Sequence, residues 1–295
     1  MDRANHRKIA LIGFGEAGRA FASGWARGAG ETVSAFDVKL DDPSGTAAIR
    51  AACAQFRVNA CDTPAAALSG ADRVFSLVTA DRAAEAAGEA AAAIDRGALF
   101  FDCNSCSPVT KMASAEAVEA AGGRYVDIAV MAPVHPQRHL TPLLVSGPHA
   151  EPALAALAAL GMRARPAGSR VGDASAIKML RSVIVKGLEA LTAEAMLAAR
   201  RAGVEEAVLA SLQASDPGID WTRRTSYNLE RMMLHGARRA AEMREVAKTL
   251  SDYGLPNRLA AATAEWQDEI AGLHLAAGED DLSSRLDRIL DKRGA

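Results

Sequence analysis

Lys8–Gly13, KIALIG, is a short apolar run that ends in glycine, and by its length and flanks it reads as a buried strand. Ala17–Gly28 then reads as a helix and Thr32–Asp37 (TVSAFD) as a second strand. The alternation continues with a helix over Ser44–Gln55, a short strand at Phe56–Asn59 and a strand at Arg73–Val78 (RVFSLV). An alanine-rich helix over Ala83–Asp95, a strand at Ala98–Asp102 (ALFFD), a helix over Val109–Ala121 and a strand at Arg124–Ile128 follow. Leu143–Ser146 (LLVS) is one more strand, before a helix over Glu151–Leu160. Strands alternating with helices of about 10–15 residues predict an α/β fold, a parallel sheet with helices on both faces.

The pattern changes after Gly172. From Ala174 to about Ala202 there is no proline and one glycine, Gly187, so a single helix of roughly 40 Å is expected. Ile177, Leu180, Ile184, Leu188 and Leu191 are expected to make its core face, while Lys178, Ser182 and Lys186 form a separate stripe at four-residue steps. Long cations are almost never fully buried unless paired, and Glu189, three residues beyond Lys186, is a candidate partner. Helical patterns run on to the C-terminus, interrupted near Asp216-Pro217-Gly218 and Gly254-Leu255-Pro256. Gly278–Ala295 is highly charged and reads as a surface helix or a frayed tail. The expected division is an α/β domain over residues 1–170 and an all-helical domain over residues 171–295, with no internal repeat.

Composition narrows the classes. The chain has 295 residues, 49% of them hydrophobic and 24% charged, enough for one large or two medium domains with real cores. A net charge of −2 gives no electrostatic argument for nucleic acid or an anionic membrane as partner. No run of about 18 apolar residues occurs, and Met1–Lys8 is polar, so a cytoplasmic protein is expected. The four cysteines, Cys53, Cys61, Cys103 and Cys106, are too scattered for a disulfide framework. Cys103-Asn104-Ser105-Cys106 is a C-x-x-C read here as coincidence, with a redox dithiol as the alternative; no metal site is expected.

Gly13-Phe14-Gly15-Glu16-Ala17-Gly18 is G-x-G-x-x-G, directly after the first strand and opening the first helix, the context that a dinucleotide-binding turn needs. The first glycine makes the tight turn, the second lets backbone approach a pyrophosphate, and the third lets helix and strand pack closely. Asp37 ends the second strand about 20 residues further on, where a carboxylate accepts hydrogen bonds from ribose hydroxyls and repels a 2′-phosphate. NAD is therefore the expected cofactor, with NADP the alternative because Lys39 and Arg50 lie nearby in sequence.

In their order along the chain, IGFGEAG (Ile12–Gly18), FDCNSCSP (Phe101–Pro108), GDASAIK (Gly172–Lys178) and TAEAMLAARRAG (Thr192–Gly203) carry a family pattern. The chain resembles the β-hydroxyacid dehydrogenases, the superfamily of 3-hydroxyisobutyrate and 6-phosphogluconate dehydrogenases, and within it a bacterial branch with a poorly characterised C-terminal domain. The resemblance implies a Rossmann-type domain followed by a helical domain for substrate and dimerisation, hence a homodimer. It also implies hydride transfer between NAD(P) and a small hydroxy acid or its oxo counterpart. Lys178 matches the family's catalytic lysine, a general acid/base whose free pKa of about 10.4 must be tuned toward neutrality. FDCNSCSP looks like the family's D-x-S-T-x-x-P, which assigns Asn104 to the cofactor, with Val78 and Thr79, and Ser105 to the substrate.

The departures are specific. Tyr125–Pro136 (YVDIAVMAPVHP) stands where relatives carry D-x-P-V-S-G-G, so Met131 replaces small polar residues, Pro133 has no N–H, and His135 and His139 are the nearby polar groups. Ser182 replaces the family's asparagine, and Ala241 and Glu242 stand at its later lysine and aspartate, with Arg238 one turn earlier. The expected substrate contacts are Ser105, Met131, His135, Ser182, Lys186 and Arg238. The alternatives are imine reduction, oxidation coupled to decarboxylation or isomerisation, and a nucleotide-binding protein without catalysis.

Overall fold

The computed structural model describes residues 8–25 and 31–294. Most of the polar segment Met1–Lys8, and residues 26–28 of the helix expected over Ala17–Gly28, lie outside the described residues. The chain divides into two compact units, one ending at Met179 and the other beginning at Leu180.

In the first unit the strands β1 (Lys8–Ile12), β2 (Thr32–Phe36), β3 (Asn59–Ala60), β4 (Arg73–Ser76), β5 (Leu99–Asp102), β6 (Arg124–Val130), β7 (Leu143–Ser146) and β8 (Ala164–Gly168) form one sheet. Its order is β3-β2-β1-β4-β5-β6-β7-β8, with the reversal of direction beside β1 that typifies doubly wound folds. The helices are α1 (Glu16–Gly24), α2 (Pro43–Gln55), α3 (Pro64–Leu68), α4 (Ala83–Ala91), α5 (Pro108–Ala120) and α6 (Ala150–Ala159). Alternate strand residues serve opposite faces: Ile9 and Leu11 join a core with Phe21, Phe75 and Phe101, while Ala10 and Ile12 join another with Val74, Phe100 and Tyr125. Both faces are buried, which is why these strands read as continuous apolar runs.

Two local expectations give way, and one strand was not expected. All neighbouring strands pair in parallel except β6 and β7, which are antiparallel. The connection over residues 131–142 holds only the 3-10 turn Arg138–Leu140, too little chain for a helical crossover, so the strand returns alongside its predecessor. Phe56–Asn59 is not a strand until Asn59: the amides of Arg57 and Val58 close the end of α2 on the carbonyls of Ala54 and Cys53, with Arg57 at φ +54°. β8, which no apolar run announces, is an edge strand and tolerates Pro166.

The helix α7 (Asp173–Ala202) starts in the first unit because its first turn is bonded to the sheet. Asp127 Oδ2 accepts from the amides of Gly172 and Ser175, both at 3.1 Å, and Ser146 Oγ accepts from Ala174 N at 2.9 Å. These bonds tie the first turn of α7 to the first unit, which ends at Met179.

The second unit continues through α8 (Glu205–Ser215), α9 (Trp221–Asp252), α10 (Arg258–Gly272) and α11 (Leu282–Gly294), with breaks at both expected Pro/Gly interruptions. Its core gathers Met196, Leu197, Leu229, Met232, Ile270, Leu286 and Ile289. The expected core face of α7 is instead exposed: Ile184 is 68% and Leu191 63% accessible, and Ile177, Leu180 and Leu188 are exposed too. The inward face carries polar residues in its middle: Ser182, Lys186, Glu189 and Thr192 are buried, the last receiving Asn228 Nδ2 on its Oγ1 at 3.0 Å.

Nor is the charged C-terminal stretch a frayed tail. Arg285, 2% exposed, donates to Ser226 O (2.9 Å), Ser226 Oγ (2.7 Å) and Asp280 Oδ1 (2.9 Å), and so fastens α11 to α9. Removing that guanidinium leaves the buried carbonyl and hydroxyl of Ser226 without their donor. Arg285→Ala is expected to lower the stability of the helical unit by about 1–3 kcal/mol, read as the shift of the urea midpoint at unchanged slope.

Candidate active site

At the carboxyl end of β1, Gly13 turns the chain at φ +89°, and a Cβ there would lie 2.5 Å from Leu77 O. A Cβ on Gly18 would lie 2.8 Å from Gly13 O, whereas one on Gly15 would meet nothing within 4 Å. The first and third glycines are therefore enclosed by backbone and the second faces open space, the division of roles that a pyrophosphate cradle requires. Glu16 is exposed and Ala17 half-buried at the start of α1, where no side chain caps the helix. Free N–H groups at such a start favour an anion.

Phe14 sends its ring into the core, edge-on to Phe56, and its amide donates to Asp37 Oδ2 at 2.8 Å. Lys39 N donates to Asp37 Oδ1 at 3.0 Å, so the acidic residue is locked to the loop. These residues fit a dinucleotide: the cradle is open where the backbone must approach it, and the carboxylate sits at its side.

Asn104 is buried and engaged at both ends of its amide. Its Oδ1 accepts from Val78 N at 2.8 Å and its Nδ2 donates to Ser76 Oγ at 2.9 Å. Its own backbone N–H donates to Asp102 Oδ1 at 3.0 Å. Val78 is thereby fixed, with Thr79 exposed beside it. The next residue, Ser105, is half-buried, and Lys178 Nζ donates to its Oγ at 2.6 Å. Residues distant in sequence and drawn from two separate motifs thus meet.

The loop after β6 behaves differently. The amide of Met131 donates to Pro142 O at 2.9 Å, and His135 is exposed. His139 packs against α1 at Gly24, where burial and the neighbouring Arg138 lower its pKa.

Two groups of charges were not anticipated. Lys111 on α5 is wholly buried, 2.9 Å from Asp102 Oδ1 and 3.5 Å from Asp127 Oδ1, and it donates to Asp102 O at 2.6 Å. Tyr125 OH donates to Asp102 Oδ2 at 2.6 Å, and Ser175 Oγ to Asp127 Oδ1 at 2.6 Å. Burial by itself would weaken the lysine's hold on its proton, but the two carboxylates overcome that and raise its pKa. A sequence signal existed: Lys111 lies at helical spacing with Ala115 and Val118, both buried, so it occupies a core position.

In the helical unit Lys186 pairs with Glu242, not with Glu189. Glu189 is held instead by Arg239 and by Gln267 Nε2 at 2.8 Å. Burial lowers the pKa of Lys186 and Glu242 opposes it; burial raises that of Glu189 and Arg239 opposes it. Ser182 is buried and Arg238 exposed.

All the cysteines are free. Burial pushes the Cys103 thiol up to about 12 against the pull of Lys111, and Cys106 Sγ rests on Ala80 O at 3.5 Å. A thiol so protonated at neutral pH is a poor nucleophile. Among the described residues, no cluster of three or more His, Cys, Asp or Glu could hold a metal ion, and no helix is long and apolar enough to cross a membrane.

Known proteins resemble this chain along its whole length. The family described as the NAD binding domain of 6-phosphogluconate dehydrogenase matches residues 8–162, and a domain of unknown function, DUF1932, matches residues 199–270. A conserved hypothetical protein from Sinorhizobium meliloti 1021 is 37% identical, with 98% of each chain covered and a TM-score of 0.75. A conserved protein of unknown function, reported as structurally similar to 3-hydroxyacid dehydrogenases, is 31% identical over 90% of this chain and 98% of its own, TM-score 0.66. The 3-hydroxyisobutyrate dehydrogenase of Mycobacterium tuberculosis, solved with L-serine, shares the fold at 19% identity, covering 96% of this chain and 98% of its own, TM-score 0.73. An uncharacterized 28.5 kDa protein of Methanothermus fervidus is 27% identical over 157 residues, and this chain spans 60% of its length. The chain belongs to the family of the NAD-binding domain of 6-phosphogluconate dehydrogenase, carried here with a C-terminal domain of unknown function.

Proposed function

We propose that the protein is an NAD-dependent oxidoreductase acting on a small hydroxy acid or its oxo counterpart, with Lys178 as the general acid/base. The observation that carries this reading is the 2.6 Å bond from Lys178 Nζ to Ser105 Oγ, which aims a buried-edge amine at the residue following the clamp on Val78. A nicotinamide bound in the cradle would supply or take up the hydride. Gly13–Gly18 would hold the pyrophosphate, and Asp37, fixed by Phe14 N and Lys39 N, would receive the ribose hydroxyls. In oxidation Lys178 removes the hydroxyl proton of the substrate; in reduction it returns one. Ser105 orients the amine through its hydroxyl.

The loop at Met131–Pro133 offers little to a carboxylate, because one amide is taken by Pro142 O and proline has none. The substrate is accordingly read as other than 3-hydroxyisobutyrate. Lys186, ion-paired to Glu242, is left out of the proposed contacts.

We also infer a homodimer. The uncovered apolar face of α7, with Ile184, Leu188 and Leu191, is suited to a second copy of the chain.

Lys178→Ala is expected to reduce kcat roughly 100- to 10,000-fold in a screen of hydroxy acids followed by NADH formation, with NADH still bound in a fluorescence titration; undiminished turnover would sink the mechanism. Asp37→Asn removes the charge that repels a 2′-phosphate. The ratio of NADPH to NADH dissociation constants should fall about tenfold, the equivalent of about one pKa unit of interaction, and an unmoved ratio would mean that Asp37 does not read the ribose. Ile184→Glu combined with Leu191→Glu should halve the mass seen by light scattering; a mass equal to that of the wild type would refute the dimer face.

A further inference from the structure

Ser76, Asp102, Asp127 and Ser146 are successive register partners across β4, β5, β6 and β7. This polar row crosses strands whose other buried side chains are mostly apolar. The members hold two pieces of chain between them. Ser76 takes the Asn104 amide, and Asp102 takes the Asn104 N–H and the Tyr125 hydroxyl. Asp127 takes the amides of Gly172 and Ser175 and the Ser175 hydroxyl, and Ser146 takes Ala174 N. One half of the row therefore fixes the Asn104–Ser105 turn, and the other half fixes the first turn of α7, one turn before Lys178.

Two buried carboxylates repel unless a cation lies between them. Lys111 is that cation, fully buried and within 3.5 Å of both. Nothing else in the row connects its two halves by charge. We propose that Lys111 is a positioning residue: by bridging Asp102 and Asp127 it sets the Ser105 turn against the start of α7, and so holds the Lys178 amine on Ser105. This rests on the reading of Lys178 as the proton-transfer group. It differs from a purely structural ion pair in what it controls, namely the environment of one particular amine.

The test is competitive acetylation with acetic anhydride at fixed pH, reading Lys178 against the exposed Lys39 by peptide mass spectrometry. No substrate is needed, so the experiment stands even if the dehydrogenase reading fails; turnover of Lys178→Ala tests that reading without touching Lys111. Lys111→Gln should shift the Lys178 to Lys39 labelling ratio about tenfold, the equivalent of one pKa unit. Ser175→Ala, which breaks one bond and leaves no charge unpaired, should shift it in the same direction by less. It keeps the question open to refutation if Lys111→Gln does not fold. Where turnover is measurable, Lys111→Gln should lower kcat about 100-fold, the scale of a misplaced catalytic group, with the NADH dissociation constant within about twofold. A folded variant of either kind, by circular dichroism, with the wild-type labelling ratio overturns the proposal.

Discussion

A fully buried ammonium group needs oxygen atoms in place of the solvent it leaves, and Lys111 finds them in Asp102 O, Asp102 Oδ1 and Asp127 Oδ1. Each of those carboxylates in turn needs more donors than one lysine supplies, and the chain provides them from Tyr125, Asn104, Gly172, Ser146 and Ser175. Desolvating charges is so costly that a half-satisfied network of this kind is worse than an apolar core. The constraint reaches outward from there. The turn after β5, the glycine before α7, the start of α7 and the packing of α5 must all hold their places for the balance to close.

The sheet was legible in the sequence because its cause is local. Strands buried on both faces are apolar throughout, and the glycine at the end of KIALIG marks the turn by itself. β8 was not legible, since an edge strand of sequence ARPAG buries little and carries no apolar signature. Phe56–Asn59 misled for the opposite reason: Phe56 and Val58 pack into the core, but their backbone closes a helix. Apolar side chains report burial, not the hydrogen bonds of the chain that carries them.

The long helix shows the same limit on a larger scale. A helical wheel of α7 separates its apolar face from its polar one correctly, but assigning the apolar face inward assumes that the chain's own core is what covers it. Here Lys186, Glu189 and Thr192 turn inward, matched by Glu242, Arg239, Gln267 and Asn228, while Ile184 and Leu191 face out. The partners that make this arrangement affordable lie some 40 to 80 positions away in sequence, on helices whose charged pattern looks like a solvated surface. Lys178 stands out for a different reason: the motif around it, rather than its place on the wheel, sets it apart from the other lysine of the helix.

Asn104 ties the site to the network. A serine at this position can give one hydroxyl proton and accept at one oxygen, all at a single point. The asparagine amide reaches two groups at once, accepting from Val78 N and donating to Ser76 Oγ, and so fastens the end of β4 to the turn after β5. With that task taken by the amide and the backbone held by Asp102, the hydroxyl of Ser105 has no structural bond to keep within the turn, and it receives Lys178. The fold thus divides the labour between adjacent residues: one braces the strands and the other meets the amine.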